Sequence, residues 1–112
     1  MQVAATNEFV RWYRTLEAPV RAAIDVRVNY LRNKGLAATT PFVKPIVGSR
    51  YAMAELRYDK PPTHVRVLFV YNGADNAVLL VGGDKAGNWE SWYRMNIDRA
   101  EALYDLHRRK NH

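Results

Sequence analysis

Met53-Ala-Glu-Leu-Arg-Tyr58, Val65-Arg-Val-Leu-Phe-Val-Tyr71 and Ala77-Val-Leu-Leu-Val81 follow one another in a stretch that ends in the glycine-rich, basic Gly82-Gly-Asp-Lys85. The last two runs are dense in β-branched and aromatic residues, and all three have strand length. Asp59-Lys-Pro-Pro-Thr63 and Asn72-Gly-Ala-Asp-Asn76 separate them with turn chemistry: prolines that cannot donate to a ladder, and an Asn-Gly pair that tolerates positive φ. Loops this short join antiparallel neighbours. The third run is apolar at every position, so both its faces are expected to be covered in the middle of a sheet. Arg57 and Arg66 stand out because they interrupt strands that are otherwise largely apolar.

Toward the N-terminus, Gln2 to Ala5 reads as a short edge strand and Thr6 as an N-cap. Phe9, Trp12, Tyr13 and Leu16 recur at helical spacing and are expected to face inward, with Glu8, Arg11 and Arg14 opposite. Pro19 suits the first turn of a second helix, where its missing N–H costs nothing, and Gly35 suits its end. Val20, Ile24, Val28 and Leu31 make that helix's apolar stripe. Two helices joined so tightly are expected to form a hairpin on one face of the sheet. Leu36 to Tyr51 is punctuated by Pro41, Pro45 and Gly48 yet holds Phe42, Val43, Ile46 and Val47, and reads as a packed loop. Within it Lys44 reads as a surface cation, and Arg50 as either a surface cation or a phosphate contact. Beyond the sheet, Tyr93, Ile97, Ala100, Leu103, Tyr104 and His107 put an amphipathic helix over 91–109, followed by a basic, frayed tail from Arg108 to His112. The sum is an α+β chain: a helical hairpin on a mainly antiparallel, three- to four-stranded sheet with a C-terminal helix, residues 1–112 forming one domain.

Charge narrows the partners. Seventeen Lys and Arg against 11 Asp and Glu give a formal charge of +6, and 12 of the cations are Arg. A planar guanidinium grips phosphate through two parallel hydrogen bonds where an ammonium acts as a point charge, so a polyanion such as nucleic acid is the expected partner. The absence of cysteine excludes disulfides and thiolate sites and suits a reducing compartment. No segment has the pattern of a signal peptide, and no apolar run nears the roughly 18 residues of a membrane span. A cytoplasmic protein without a membrane partner is expected. P-loop, dinucleotide and His/Glu metal spacings are missing, and the histidines stand only at 64, 107 and 112, so neither a cofactor nor a metal is expected. Gly82-Gly-Asp-Lys-Ala-Gly87 has the look of a phosphate loop but lacks its spacing and its following helix.

Whether Arg57, Arg66 and Lys85 converge depends on register. Side chains alternate along strands, so the two arginines share a face only if the first hairpin pairs residues whose numbers sum to an odd value, as with Glu55 opposite Arg66. A four-residue loop, or a bulge beside Pro61-Pro62, gives such a register, brings Glu55 into the same cleft and leaves Lys85 at its rim. Three cations on one face can hold a phosphodiester and offset charge developing on its oxygens, about 3 to 4 kcal/mol per well-placed donor. The alternative is a purely structural role, each arginine reaching out of a half-buried strand to pair with Glu55, Asp59 or Asp84.

The order of elements, together with Ala54-Glu-Leu-Arg57, Val65-Arg-Val-Leu-Phe69, Val81-Gly-Gly-Asp-Lys85 and Ile97-Asp-Arg-Ala-Glu101, resembles the RelE/ParE toxin superfamily. The Glu-Leu-Arg strand is most similar to its HigB-like, phage Gp49-like branch, and the resemblance spans nearly the whole chain through short motifs. It implies a small RelE-like fold. Members with ribonuclease activity are toxins of type II toxin–antitoxin systems that cut mRNA on the ribosome and inhibit translation, held silent by a cognate helix-turn-helix antitoxin in a hetero-oligomer. On that pattern, cleavage is metal-independent and leaves 2′,3′-cyclic phosphate and 5′-hydroxyl ends. Carried over by position, Arg57, Arg66, Lys85 and Tyr93 match the family's site residues; in such a site Arg57 would position the phosphate, Arg66 and Lys85 would stabilise the pentacoordinate charge, and Tyr93, or His107 as a helix-end imidazole without a family counterpart, would move protons or stack on a base. As a base, Tyr93 needs cationic neighbours to lower its phenol from about 10. Arg66→Ala or Lys85→Ala is expected to remove cleavage and leave the fold intact. The antitoxin is expected either to cover the cleft of Arg57, Arg66 and Lys85 or, as the preferred arrangement, to pack on the two N-terminal helices, drawn by Arg11, Arg14, Arg21 and Arg32. Three departures stand out: Glu55 occupies the place of a RelE-type lysine, the paired basic residues after the last strand shrink to Lys85-Ala86, and Tyr93 lies about two residues late. ParE-like relatives share the fold without the ribonuclease constellation and poison DNA gyrase, so gyrase poisoning, or plain RNA or partner binding, is the alternative function.

Overall fold

The computed structural model describes residues 1–110. The elements run β1 (Gln2–Ala5), α1 (Asn7–Arg14), α2 (Ala18–Lys34), β2 (Val43–Pro45), β3 (Met53–Lys60), β4 (Thr63–Tyr71), β5 (Asn76–Asp84) and α3 (Trp89–Lys110). One sheet has the order β1-β5-β4-β3-β2. Its pairs are antiparallel except β1 with β5, which is parallel. The α+β architecture and helical hairpin match expectation, but the sheet has five strands, not three or four. The extra strand is β2, inside the stretch read as a loop. Val43 is buried opposite Leu56, and Pro45 is tolerated because β2 is an edge. Val47 in the same stretch does not pack and is 93% exposed.

The strands are also longer than their apolar runs. β3 continues through Asp59 and Lys60, so Pro61-Pro62 alone makes the turn to β4. β5 continues through Gly82, Gly83 and Asp84, which therefore form a strand and not a loop. Both glycines are notches: a Cβ on Gly82 would strike the Trp12 ring, and one on Gly83 would lie 2.6 Å from Trp92 Nε1. Between β4 and β5 the register slips at Leu68/Phe69 and leaves Leu80 as an extra residue. Leu80 and Val81 consequently both join the core beneath α3.

Each face of the sheet buries its own helices. On one, Phe9 of α1 and Ile24, Val28 and Leu31 of α2 pack with Leu56, Val67, Phe69 and Leu79. Thr6 caps α1 by accepting the Phe9 N–H at 3.1 Å and ties it to β5 by donating to the Leu80 carbonyl at 2.7 Å. Pro19 sits in the first turn of α2, and Gly35 ends it at φ 55°. On the other face Ala100 and Tyr104 of α3 cover Met53, Leu68, Val70 and Leu80. Arg108 to Lys110 continue this helix and do not fray; Asn111 and His112 lie outside the described residues. Among the described residues no helix is long and apolar enough to cross a membrane.

Candidate functional site

Alternation along β3 and β4 sends Glu55, Arg57, Asp59, His64 and Arg66 to the face that carries α3. Arg57 pairs directly with Arg66, and Asp59 with His64. β5 extends both rows, since Gly83 lies beside Arg66 and the Lys85 N–H donates to the His64 carbonyl at 3.0 Å. The outcome is two adjacent lateral rows, Arg57–Arg66–Gly83 and Asp59–His64–Lys85. The odd-sum condition holds, but a two-residue turn meets it, and Glu55 faces Leu68 instead of Arg66.

Like charges directly opposite on neighbouring strands repel. Glu55, only 3% exposed, offsets that repulsion from between them: its oxygens lie 3.6 Å from Arg57 Nε and 3.7 Å from Arg66 Nε. Both separations exceed a hydrogen bond, and both Nε–H donors are buried without an acceptor. Arg66 Nη1 donates to Asp59 Oδ1 and to the Val65 carbonyl, each at 2.9 Å. The structural alternative is thus partly realised, through Glu55 and Asp59. Asp84 takes no part in it and accepts the backbone N–H groups of His64 and Ala86. Arg66 does not reach outward either; it is 1% exposed, whereas the Arg57 side chain keeps 25%.

α3 begins above these rows. Tyr93 donates its hydroxyl proton to Glu55 Oε1 at 2.5 Å. Lys85 Nζ lies 5.6 Å from the Tyr93 ring centre and 5.8 Å from that of Trp89, which is 57% exposed. Burial and the hydrogen bond to Glu55 push the Tyr93 phenol up to about 12, so Arg66 does not turn it into a base. Burial, then repulsion from Arg66, lowers Lys85. Asp59 is held below the usual carboxylate range: burial opposes its charge, but the hydrogen bonds from His64 and Arg66 prevail. Burial likewise opposes charge on Arg66, and Asp59 and Tyr93 raise its pKa regardless.

Arg57, Arg66, Lys85 and Tyr93 are brought together; His107 is not. It follows Tyr93 by fourteen residues on the same helix, about 21 Å of rise, and stacks on Tyr104. Arg50 is likewise elsewhere, its Nη2 2.6 Å from Asp105 Oδ2, tying the β2–β3 connection to α3. Sequence reading identified Asp59 only as an ion-pair partner for the strand arginines, and missed His64 and Trp89 as site residues. Period-two alternation could have placed Asp59 and His64 in the site, since each stands two residues from an arginine on its own strand. They escaped because the strands were taken to end at Tyr58 and to start at Val65.

Residues 11–105 match the family model described as phage derived protein Gp49-like. A Mycobacterium tuberculosis protein named "Putative toxin HigB3" is 35% identical over 102 residues, 90% of this chain and 88% of the relative. A second from that organism, "Putative toxin HigB2", is 32% identical over 98 residues, 86% of this chain but 49% of the relative, so the chain spans about half its length. No solved structure matches the chain.

Proposed function

The chain belongs to the phage-derived Gp49-like family, and from that membership we propose that it is the toxin of a type II toxin–antitoxin pair, an endoribonuclease that cuts mRNA on the ribosome and stops translation. The names of its relatives support the toxin reading. One observation carries the chemistry: Arg57 lies directly opposite Arg66 with Lys85 in the adjoining row, and two guanidinium donors are left without acceptors. Packing alone disfavours such a grouping, and local choices that conflict with folding concentrate at functional sites.

In this reading the substrate's 2′-hydroxyl attacks the adjacent phosphorus in line, the bond to the 5′-oxygen breaks, and a 2′,3′-cyclic phosphate and a 5′-hydroxyl end remain. Arg57, partly exposed, grips the phosphate. Lys85 offsets the charge that builds on its oxygens. Arg66 acts from beneath, through its field and by fixing Glu55 and Asp59. Tyr93 keeps its proton and serves as a donor that holds Glu55. Trp89 offers an exposed ring on which a base can stack. His107 takes no part.

The partner is a cognate antitoxin. A groove of about 540 Å³ between β1, α1 and α2, lined by Phe9, Val10, Tyr13 and Val28 with Arg14 and Arg32, supports docking of an acidic, amphipathic segment on the N-terminal helices. Arg21 contributes less, because its guanidinium is already bonded to the Leu16 carbonyl. Charge reversal at Arg14 and Arg32 weakens the complex; unchanged affinity would put the antitoxin elsewhere.

Inducing the chain in a bacterial host and reading transcript ends genome-wide tests the function. New ends inside coding regions are expected within minutes of growth arrest, and arrest without new ends would overturn the ribonuclease. The burial of Arg66 beneath two carboxylates favours a second reading, a ParE-like poison that acts by binding. In that case purified gyrase loses supercoiling activity in the presence of the protein and no RNA.

A further inference from the structure

We propose that His64, held by Asp59, is the general base of this site, the group that takes the proton from the attacking 2′-hydroxyl; the assignment rests on the ribonuclease reading above. The reaction needs an acceptor for that proton, and Tyr93 is occupied as a donor. Glu55 is 3% exposed and engaged by Tyr93 between two guanidinium groups. His64 differs from both. Its Nδ1 is fixed at 2.7 Å from Asp59 Oδ1, and the same oxygen accepts from Arg66 Nη1 at 2.9 Å, so the carboxylate is itself anchored. A carboxylate on Nδ1 selects the tautomer whose Nε2 carries the lone pair and stabilises the imidazolium that forms. Nε2 makes no hydrogen bond within the described residues, and the side chain is 36% exposed. The ring is therefore oriented at one nitrogen and open at the other.

Position agrees with that role. His64 stands between Asp59 and Lys85 in one row and is two residues from Arg66 in the next. A phosphate gripped by Arg57 and Lys85 is thereby placed beside the row that carries the imidazole. In the balanced step, the 2′-hydroxyl proton passes to His64 Nε2 as the 2′-oxygen bonds to phosphorus. The bond from phosphorus to the 5′-oxygen then breaks, its electron pair leaves with that oxygen, and the Lys85 ammonium supplies the proton that makes the 5′-hydroxyl. Solvent restores both groups.

The charged groups around the imidazole are Asp59 on β3, Arg66 on β4, and Asp84 and Lys85 on β5, with Asp84 meeting only the backbone N–H of His64. The experiment is single-turnover cleavage of an mRNA on programmed ribosomes across pH by wild type, His64→Gln and His64→Ala, alongside melting temperatures. We expect His64→Gln to slow cleavage by about 100- to 10,000-fold. Its melting temperature stays near wild type, the acid-side fall of the rate disappears, and added imidazole partly rescues His64→Ala. Cleavage by His64→Gln within about threefold of wild type, or an acid limb that persists in it, overturns the assignment and leaves the ribonuclease reading standing. No cleavage by wild type overturns both.

Discussion

Arg66 holds two carboxylates whose positions depend on its charge. Removing its side chain leaves Glu55 buried with Arg57 as its remaining cation and frees Asp59 from its anchor. Breaking a buried pair in this way costs about 3 kcal/mol, on the order of 10 °C in melting temperature for a chain of this size. Arg66→Ala is therefore expected to lose both activity and stability, and the expectation that it spares the fold does not survive the burial of the side chain. Lys85→Ala is the cleaner variant, with a change in unfolding free energy within about 0.5 kcal/mol and cleavage down by about 100-fold or more. Urea denaturation beside a cleavage assay separates the two. Tyr93 gives a pH signature of known sign. Its folded-state pKa, about 12, lies above its unfolded value. The stability it contributes is therefore complete below about pH 10 and lost as pH rises through the folded value. Alkaline unfolding curves should show that loss, and Tyr93→Phe should show a smaller one, what remains coming from Tyr13 and Tyr71, which are raised by the hydrogen bond to Asp25 and by burial, respectively. Arg57 and Arg66 were legible as anomalies in apolar strands; the burial of one and not the other was not, because it depends on where α3 crosses the sheet.

Gly82 and Gly83 make the same point for an element. In sequence they resemble a phosphate-binding loop, but they form the last part of β5 and admit Trp12 from α1 on one face and Trp92 from α3 on the other. A glycine that accepts a tryptophan gives the same one-letter signal as a glycine that turns a loop, so local pattern could not separate them. Gly83→Ala is expected to cost about 1 to 3 kcal/mol through overpacking against Trp92. Cleavage should fall further than stability, because the first turns of α3 carry Trp89 and Tyr93 and must shift. Wild-type cleavage by this variant would detach the start of α3 from the site. Apolar runs announced β3, β4 and β5, and caps announced the helices. Strand ends such as Asp59, Lys60 and Gly82 to Asp84 were hidden, since only the buried portion of a strand carries a hydrophobic pattern.

For the molecule as a whole, the sheet divides two tasks. One face buries the helical hairpin and keeps Arg11, Arg14 and Arg32 exposed outside; the other buries α3 and gathers Arg57, His64, Arg66, Lys85 and Tyr93 around its first turns. The formal charge of +6 suits association with an RNA-rich particle and with an acidic antitoxin segment alike. Composition and element order sufficed for the α+β fold. The fifth strand and the Asp59–His64 pair needed coordinates, whereas the distance of His107 from Tyr93 already follows from fourteen residues of one helix. If this face cleaves RNA through the substrate's own 2′-hydroxyl, the new ends carry its signature. The most direct test is to incubate the purified chain with mRNA-programmed ribosomes and determine the chemistry of the new termini. The expected products are 5′-hydroxyl ends that accept phosphate from a polynucleotide kinase, paired with 2′,3′-cyclic phosphates; 5′-phosphate ends paired with free 3′-hydroxyls would rule this chemistry out.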